Sequence, residues 1–160
     1  MGTTQANSDS ATGAASGAAP VPMRLEVVTL PVSDVDRAKR FYQSLGWRLD
    51  ADFTAGDDIR GVQFTPPRSQ CSIHFGNGLT AAEPGSADRL ILAVDDIDAA
   101  RADLISRGVD VSAVYESRPP GFESIPGRSY FTYASFSDPD GNGWLLQEIT
   151  TRIPGREWEG

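Results

Sequence analysis

One stretch of this chain is written twice. Val27–Gly46 (VVTLPVSDVDRAKRFYQSLG) aligns without a gap on Arg89–Gly108 (RLILAVDDIDAARADLISRG). Asp34 falls on Asp96, Asp36 on Asp98, Ala38 on Ala100, Ser44 on Ser106 and Gly46 on Gly108, always at the same spacing. Two copies of one supersecondary unit imply a pseudo-symmetric fold, with a site between the copies.

Composition sets the outer limits. A chain of 160 residues suits one domain, or two small halves sharing one core. A formal net charge of −8 argues against nonspecific nucleic-acid binding, which needs a basic face to displace counterions. It argues equally against an anionic membrane surface. Cys71 is the single cysteine, so no internal disulfide can form, and a free thiol fits a reducing cytoplasm. No apolar run approaches the roughly 18 residues of a membrane span. Residues 1–22 are rich in Ala, Gly, Ser and Thr and lack the pattern of a signal peptide. They read as a disordered leader, unable to bury enough surface to offset ordering entropy.

The repeat organises the rest. Leu25–Val32 is β-branched and apolar, a strand near whose end Pro31 withholds a ladder N–H. Ser33 and Asp34 are good N-caps for a helix over Asp34–Leu45, with Val35, Ala38, Phe41, Tyr42 and Leu45 on one face. Gly46 closes it. Trp47–Phe53, Ile59–Thr65 and Ser69–Phe75 read as strands, and residues 23–79 form the first unit. After a polar linker at 80–88 the order recurs over 89–152. The second unit has a strand at Arg89–Val94 and a helix at Asp96–Arg107. Its later strands are Val109–Tyr115, Tyr130–Ser137 and Trp144–Ile149, and residues 153–160 form a tail. Glu116–Arg128 is a long Pro/Gly-rich loop, the kind that carries binding contacts. The expected class is α+β. Two tandem βαβββ units would pair into a half-open, barrel-like sheet with helices outside and a concave pocket within.

Leu30–Gly46, Ala93–Ala100 and Phe136–Ile149, with its Asp138-Pro-Asp-Gly-Asn142 turn, resemble the vicinal oxygen chelate superfamily over roughly residues 24 to 152. That superfamily holds glyoxalases, extradiol dioxygenases and bleomycin-binding proteins. The resemblance implies the paired-unit fold and places four metal-ligand positions at Val27, His74, Arg89 and Glu148. Valine has no donor atom and arginine stays a cation, so the usual three-ligand set is missing. If a metal binds, His74 and Glu148 are its ligands; otherwise no cofactor is expected.

The resemblance also implies that His74, Arg89 and Glu148 converge in the pocket. Arg89 would stabilise negative charge, with His74 and Glu148 as acid and base. The structural alternative is that Arg89 and Glu148 form a buried ion pair. Tyr115 and Phe122, on or beside the long loop, are the expected ligand contacts. The other aromatics after residue 114, and Cys71, read as packing. Asp34, Asp36, Asp96, Asp98 and the Asp138–Asn142 turn read as caps and turn chemistry. Three functions follow. The first is metal-independent proton transfer on a small carbonyl or aromatic metabolite, of isomerase or lyase type. The second is non-catalytic binding of a toxic or aromatic compound. The third is a divalent-metal lyase or dioxygenase. A small-molecule ligand or substrate and a second copy of the chain, forming a homodimer in the cytoplasm, are the expected partners.

Overall fold

A computed structural model describes residues 17–157; most of the leader expected over 1–22 therefore lies outside the described residues. The first unit runs β1 (Val27–Thr29), α1 (Val35–Ser44), β2 (Arg48–Ala55), β3 (Ile59–Thr65) and β4 (Ser72–Asn77). The second runs β5 (Leu90–Val94), α2 (Ile97–Ser106), β6 (Tyr115–Glu116), β7 (Thr132–Ser137) and β8 (Gly143–Glu148). Both helices start as the repeat demands. Asp34 accepts from the Arg37 N–H and Asp96 from the Ala99 N–H, which satisfies one free donor of each first turn. Gly46 and Gly108 follow the helices with φ of 79° and 86°, a conformation cheap only for glycine.

Each unit makes one four-stranded mixed sheet, ordered β1-β4-β3-β2 and β5-β8-β7-β6. β1 runs parallel to β4 and β5 parallel to β8, while the other pairs are antiparallel. The α+β class and the paired βαβββ units are those expected. The two sheets do not close into a barrel, and α1 packs a side chain against both. That side chain is Tyr42. Its ring packs against Phe64 and Phe75 of the first sheet and against Trp144 of the second. Phe41, its neighbour, reaches Phe136. An apolar helix face this wide serves two sheets at once, and burying it there removes more apolar surface than one sheet could. One continuous core results, running from Leu30, Val62 and Phe64 to Leu104, Phe136 and Leu146.

A strand expected over Val109–Tyr115 is regular only at Tyr115–Glu116. Val109 and Val111 are buried, and Ser112 replaces backbone pairing with its own hydroxyl. Its N–H donates to Ser135 O at 2.9 Å, and its Oγ accepts the Ser135 N–H at 2.9 Å. A side chain standing in for a carbonyl interrupts the ladder.

Polar groups lock the two units where they meet. Asp138, in the β7–β8 turn, is 5% exposed and accepts from Tyr42 Oη at 2.9 Å and from Asn142 Nδ2 at 2.8 Å. Tyr42 Oη in turn accepts from Trp144 Nε1 at 3.0 Å. Asn142 Nδ2 also reaches Pro31 O at 2.9 Å, and its Oδ1 accepts the Ala87 N–H at 3.0 Å. Burial, then the neighbouring Asp138 carboxylate, push the Tyr42 hydroxyl well above its usual range, so it remains a donor. Among the described residues no helix is long and apolar enough to cross a membrane.

Candidate functional site: two outward sheet faces

Because the inward faces are spent on the core, the side chains free to meet a ligand lie on the outward faces. Strand alternation assigns them. In the first sheet Ile73 and Phe75 point inward, so Ser72 and His74 point outward. His74 pairs in register with Thr29 and Gln63, making one polar row across three strands. Its Nε2 lies 2.5 Å from Thr29 Oγ1. Beside this row Thr65 Oγ1 bonds Ser72 Oγ at 2.7 Å and donates to Asp50, a bond that holds the Asp50 carboxyl below its ordinary value. Phe53 lies half-exposed over Gly61, so close that a Cβ there would stand 2.5 Å from its ring.

In the second sheet Trp144 and Leu146 point into the core, so Leu145 and Gln147 point outward, beside Ile91 and Ala93. Tyr133 pairs with both Gln147 and Tyr115. Gln147 Nε2 donates to Tyr133 Oη at 3.0 Å and to Tyr130 O at 2.9 Å, and Tyr133 Oη donates to Tyr130 O at 2.9 Å. Tyr115 stacks on Tyr133 with centroids 5.7 Å apart and planes at 23°. Each outward face thus offers rings and neutral hydrogen-bonding groups, with the Arg48–Asp50 ion pair beside the first.

The residues expected to converge are not brought together. His74 faces outward on the first sheet. Glu148 is buried on the inward face of the second, where its Oε2 accepts the Ile97 N–H at 3.0 Å and Oε1 lies 3.4 Å from Arg128 Nε. It caps α2. Arg89 is exposed with φ 56°, next to Leu90, which pairs with Trp144; Glu148 pairs with Val94 at the far end of the same two strands. The alternative reading, an Arg89–Glu148 ion pair, is not met either: the cation beside Glu148 is Arg128. The physical reason is alternation phase: Glu148 shares parity with Trp144 and Leu146, both inward. The same phase turns Gln147 outward, a residue sequence reasoning missed. Tyr115 and Phe122 are both partly exposed beside the second face. Cys71 is half-buried, and burial, then Glu26, push its thiol up, away from nucleophilic use.

A metal does not fit these donors. His74 and Glu148 stand on different sheets and opposite kinds of face, and both oxygens of Glu148 already have partners. Among the described residues no three His, Cys, Asp or Glu side chains cluster as a ligand set. The capping role of Glu148 has a measurable consequence. Glu148→Ala should lower stability by about 1–2 kcal/mol, seen as an earlier urea midpoint. Glu148→Gln should lose less, because an amide oxygen still accepts. Equal losses would refute the capping role.

Residues 24–146 match the model of the Glyoxalase/Bleomycin resistance protein/Dioxygenase superfamily. Among solved structures, the chain is similar to TnmS3, an antibiotic binding protein from Streptomyces sp. CB03234. Identity is 32% and the TM-score 0.65, with 82% of this chain and 99% of that one covered. A glyoxalase/bleomycin resistance protein from the same organism is 34% identical, with TM-score 0.60, covering 78% and 99%. A superfamily member from Sphaerobacter thermophilus DSM 20745 is 28% identical, with TM-score 0.62, covering 79% and 98%. No curated protein matches in sequence.

Proposed function

The chain belongs to the Glyoxalase/Bleomycin resistance protein/Dioxygenase superfamily, and within it we propose that this protein binds a small aromatic, antibiotic-like compound without altering it. The observation that carries this reading is the make-up of the outward faces. Tyr115, Tyr133, Phe53, Gln147 and Gln63 supply flat apolar surface and neutral hydrogen-bonding groups. Among the described residues no carboxylate bonds His74, so no acid–base pair stands ready for proton transfer. Such a lining suits binding of a planar molecule, which stacks on rings and is oriented by a few polar groups. Similarity to an antibiotic binding protein at 32% identity supports it.

A homodimer completes the picture. Each outward face is open in one copy, and Phe53, Ile91 and Tyr115 leave apolar surface exposed there. Setting the first face of one copy against the second face of another would enclose a ligand between rings from both.

The test is equilibrium binding followed by mass analysis. The protein is titrated with bleomycin and a panel of fused-ring antibiotics while tryptophan emission is followed, and the compounds are then recovered. Binding at about micromolar Kd or tighter, with the compound's mass unchanged, is expected. Recovery of a converted product would overturn the reading, as would no binding by any compound. Tyr133→Ala should weaken binding about tenfold, since it removes the stack with Tyr115 and the partner of Gln147. An unchanged Kd would remove this ring from the site.

A further inference from the structure

The long excursion between β6 and β7 is not a slack loop. One side chain holds it. Arg118 is mostly buried, and its guanidinium reaches four points of the chain around it. Nε pairs with Glu116, Nη1 donates to Ile125 O at 2.5 Å and Phe122 O at 3.4 Å, and Nη2 donates to Gly127 O at 2.7 Å. Its Cζ lies 4.4 Å from the centroid of the Phe131 ring, and Phe131 in turn packs against Phe122 with centroids 6.1 Å apart. The planar, five-donor fork is what allows one residue to satisfy three carbonyls, pair with a carboxylate and lie on a ring; a lysine could not.

Phe131 shares parity with Tyr133, so this stack extends the outward face of the second sheet. Phe122 at its end remains 44% exposed, a large ring held in place with one side open. We propose that Arg118 is a positioning residue which fixes Phe122 as a preformed outer wall of the binding face, so that the protein selects ligands long enough to span from the Tyr115–Tyr133 stack to that wall. The inference rests on the binding reading above. A ring held before the ligand arrives loses no ordering entropy on binding, so the wall adds affinity only for molecules that reach it.

The experiment compares two probes on the full chain: 2-naphthol, with two rings, and daunorubicin, with four fused rings and its own fluorescence. Wild-type protein is expected to favour daunorubicin. In Arg118→Met and in Phe122→Ala, the ratio of the two affinities is expected to fall about tenfold. The double variant should fall no further than either single one, because both changes remove the same wall. Thermal stability should drop for Arg118→Met and hold for Phe122→Ala, whose ring is half in water. Unchanged ratios would overturn the wall, as would additive losses in the double variant. If Arg118→Met does not fold, Phe122→Ala with Arg118→Lys decides, and an unchanged ratio in both overturns the proposal. Binding of neither probe by wild type would count against the binding reading itself, and the wall would fall with it.

Discussion

Asp138→Ala is expected to be among the most damaging single changes in this chain. The carboxylate lies in the core between the two units with four donors around it: Tyr42 Oη, Asn142 Nδ2 and the backbone N–H groups of Asp140 and Asn142. No cation is in that set. The donors alone offset the cost of burying the charge, and they are satisfied only while the charge is there. Removing it strands a buried phenol, a buried amide and the turn's own N–H groups at once. A loss of about 4 kcal/mol follows from leaving several such donors without acceptors, or roughly 10 °C in Tm for a chain of this size. Tyr42→Phe keeps the ring packing and should cost about half as much, since only the hydroxyl's two bonds are lost. Differential scanning calorimetry reads both. A Tm within a degree or two of wild type for Asp138→Ala would show that the junction is not held in this way.

Gly76→Ala should be comparably severe, for a steric reason. Gly76 of β4 faces Gly61 of β3 in register, and a Cβ there would stand 1.8 Å from Arg60 O and 3.1 Å from Gly61 Cα. The obstacle is backbone, which cannot swing aside as a flexible side chain can. The strands must separate, and with them the pairing of three neighbouring registers and the inward packing of Phe75 against Phe64. The expected cost is about 3 kcal/mol or more. Gly78→Ala is the control: φ is 73° but a Cβ would meet nothing within 4 Å, so only backbone strain of about 1 kcal/mol is at stake. Urea denaturation of the two variants should separate them clearly. Equal midpoints would mean that close strand approach at Gly76 carries no energetic weight.

The repeat made most of the fold legible. Caps at Asp34 and Asp96, helices closing before Gly46 and Gly108, and the strand–helix–strand order along each unit all follow from local chemistry that needs few neighbours to act. What could not be read depends on long-range packing. Leu145 is as apolar as Leu146, so the phase of β8 was ambiguous by composition alone, and Glu148 was placed in a pocket when its partner is the start of α2. The two faces of Tyr42 could not be seen from helical spacing, which shows that a face is apolar but not how many sheets it touches. Asp138 read as a turn residue, and it is one: its Oδ1 accepts two turn N–H groups. Its second oxygen works across the junction, on a tyrosine far away in the chain. The loop after Tyr115 was legible because Pro and Gly beside a strand end are a local signal.

The opposed orientation of core and outward faces bears on how such a chain can diverge. Residues such as Ile91, Gln63, Phe53 and Tyr115 touch the shared core little, so exchanging them alters what the surface can recognise while the fold's stability stays nearly constant. In the junction of Tyr42, Asp138, Asn142 and Trp144 each polar group depends on another, so a change at one is felt by its partners. Variation is thereby channelled to one side of each sheet, and a lineage built on this plan can change the chemistry of those faces without first acquiring extra stability.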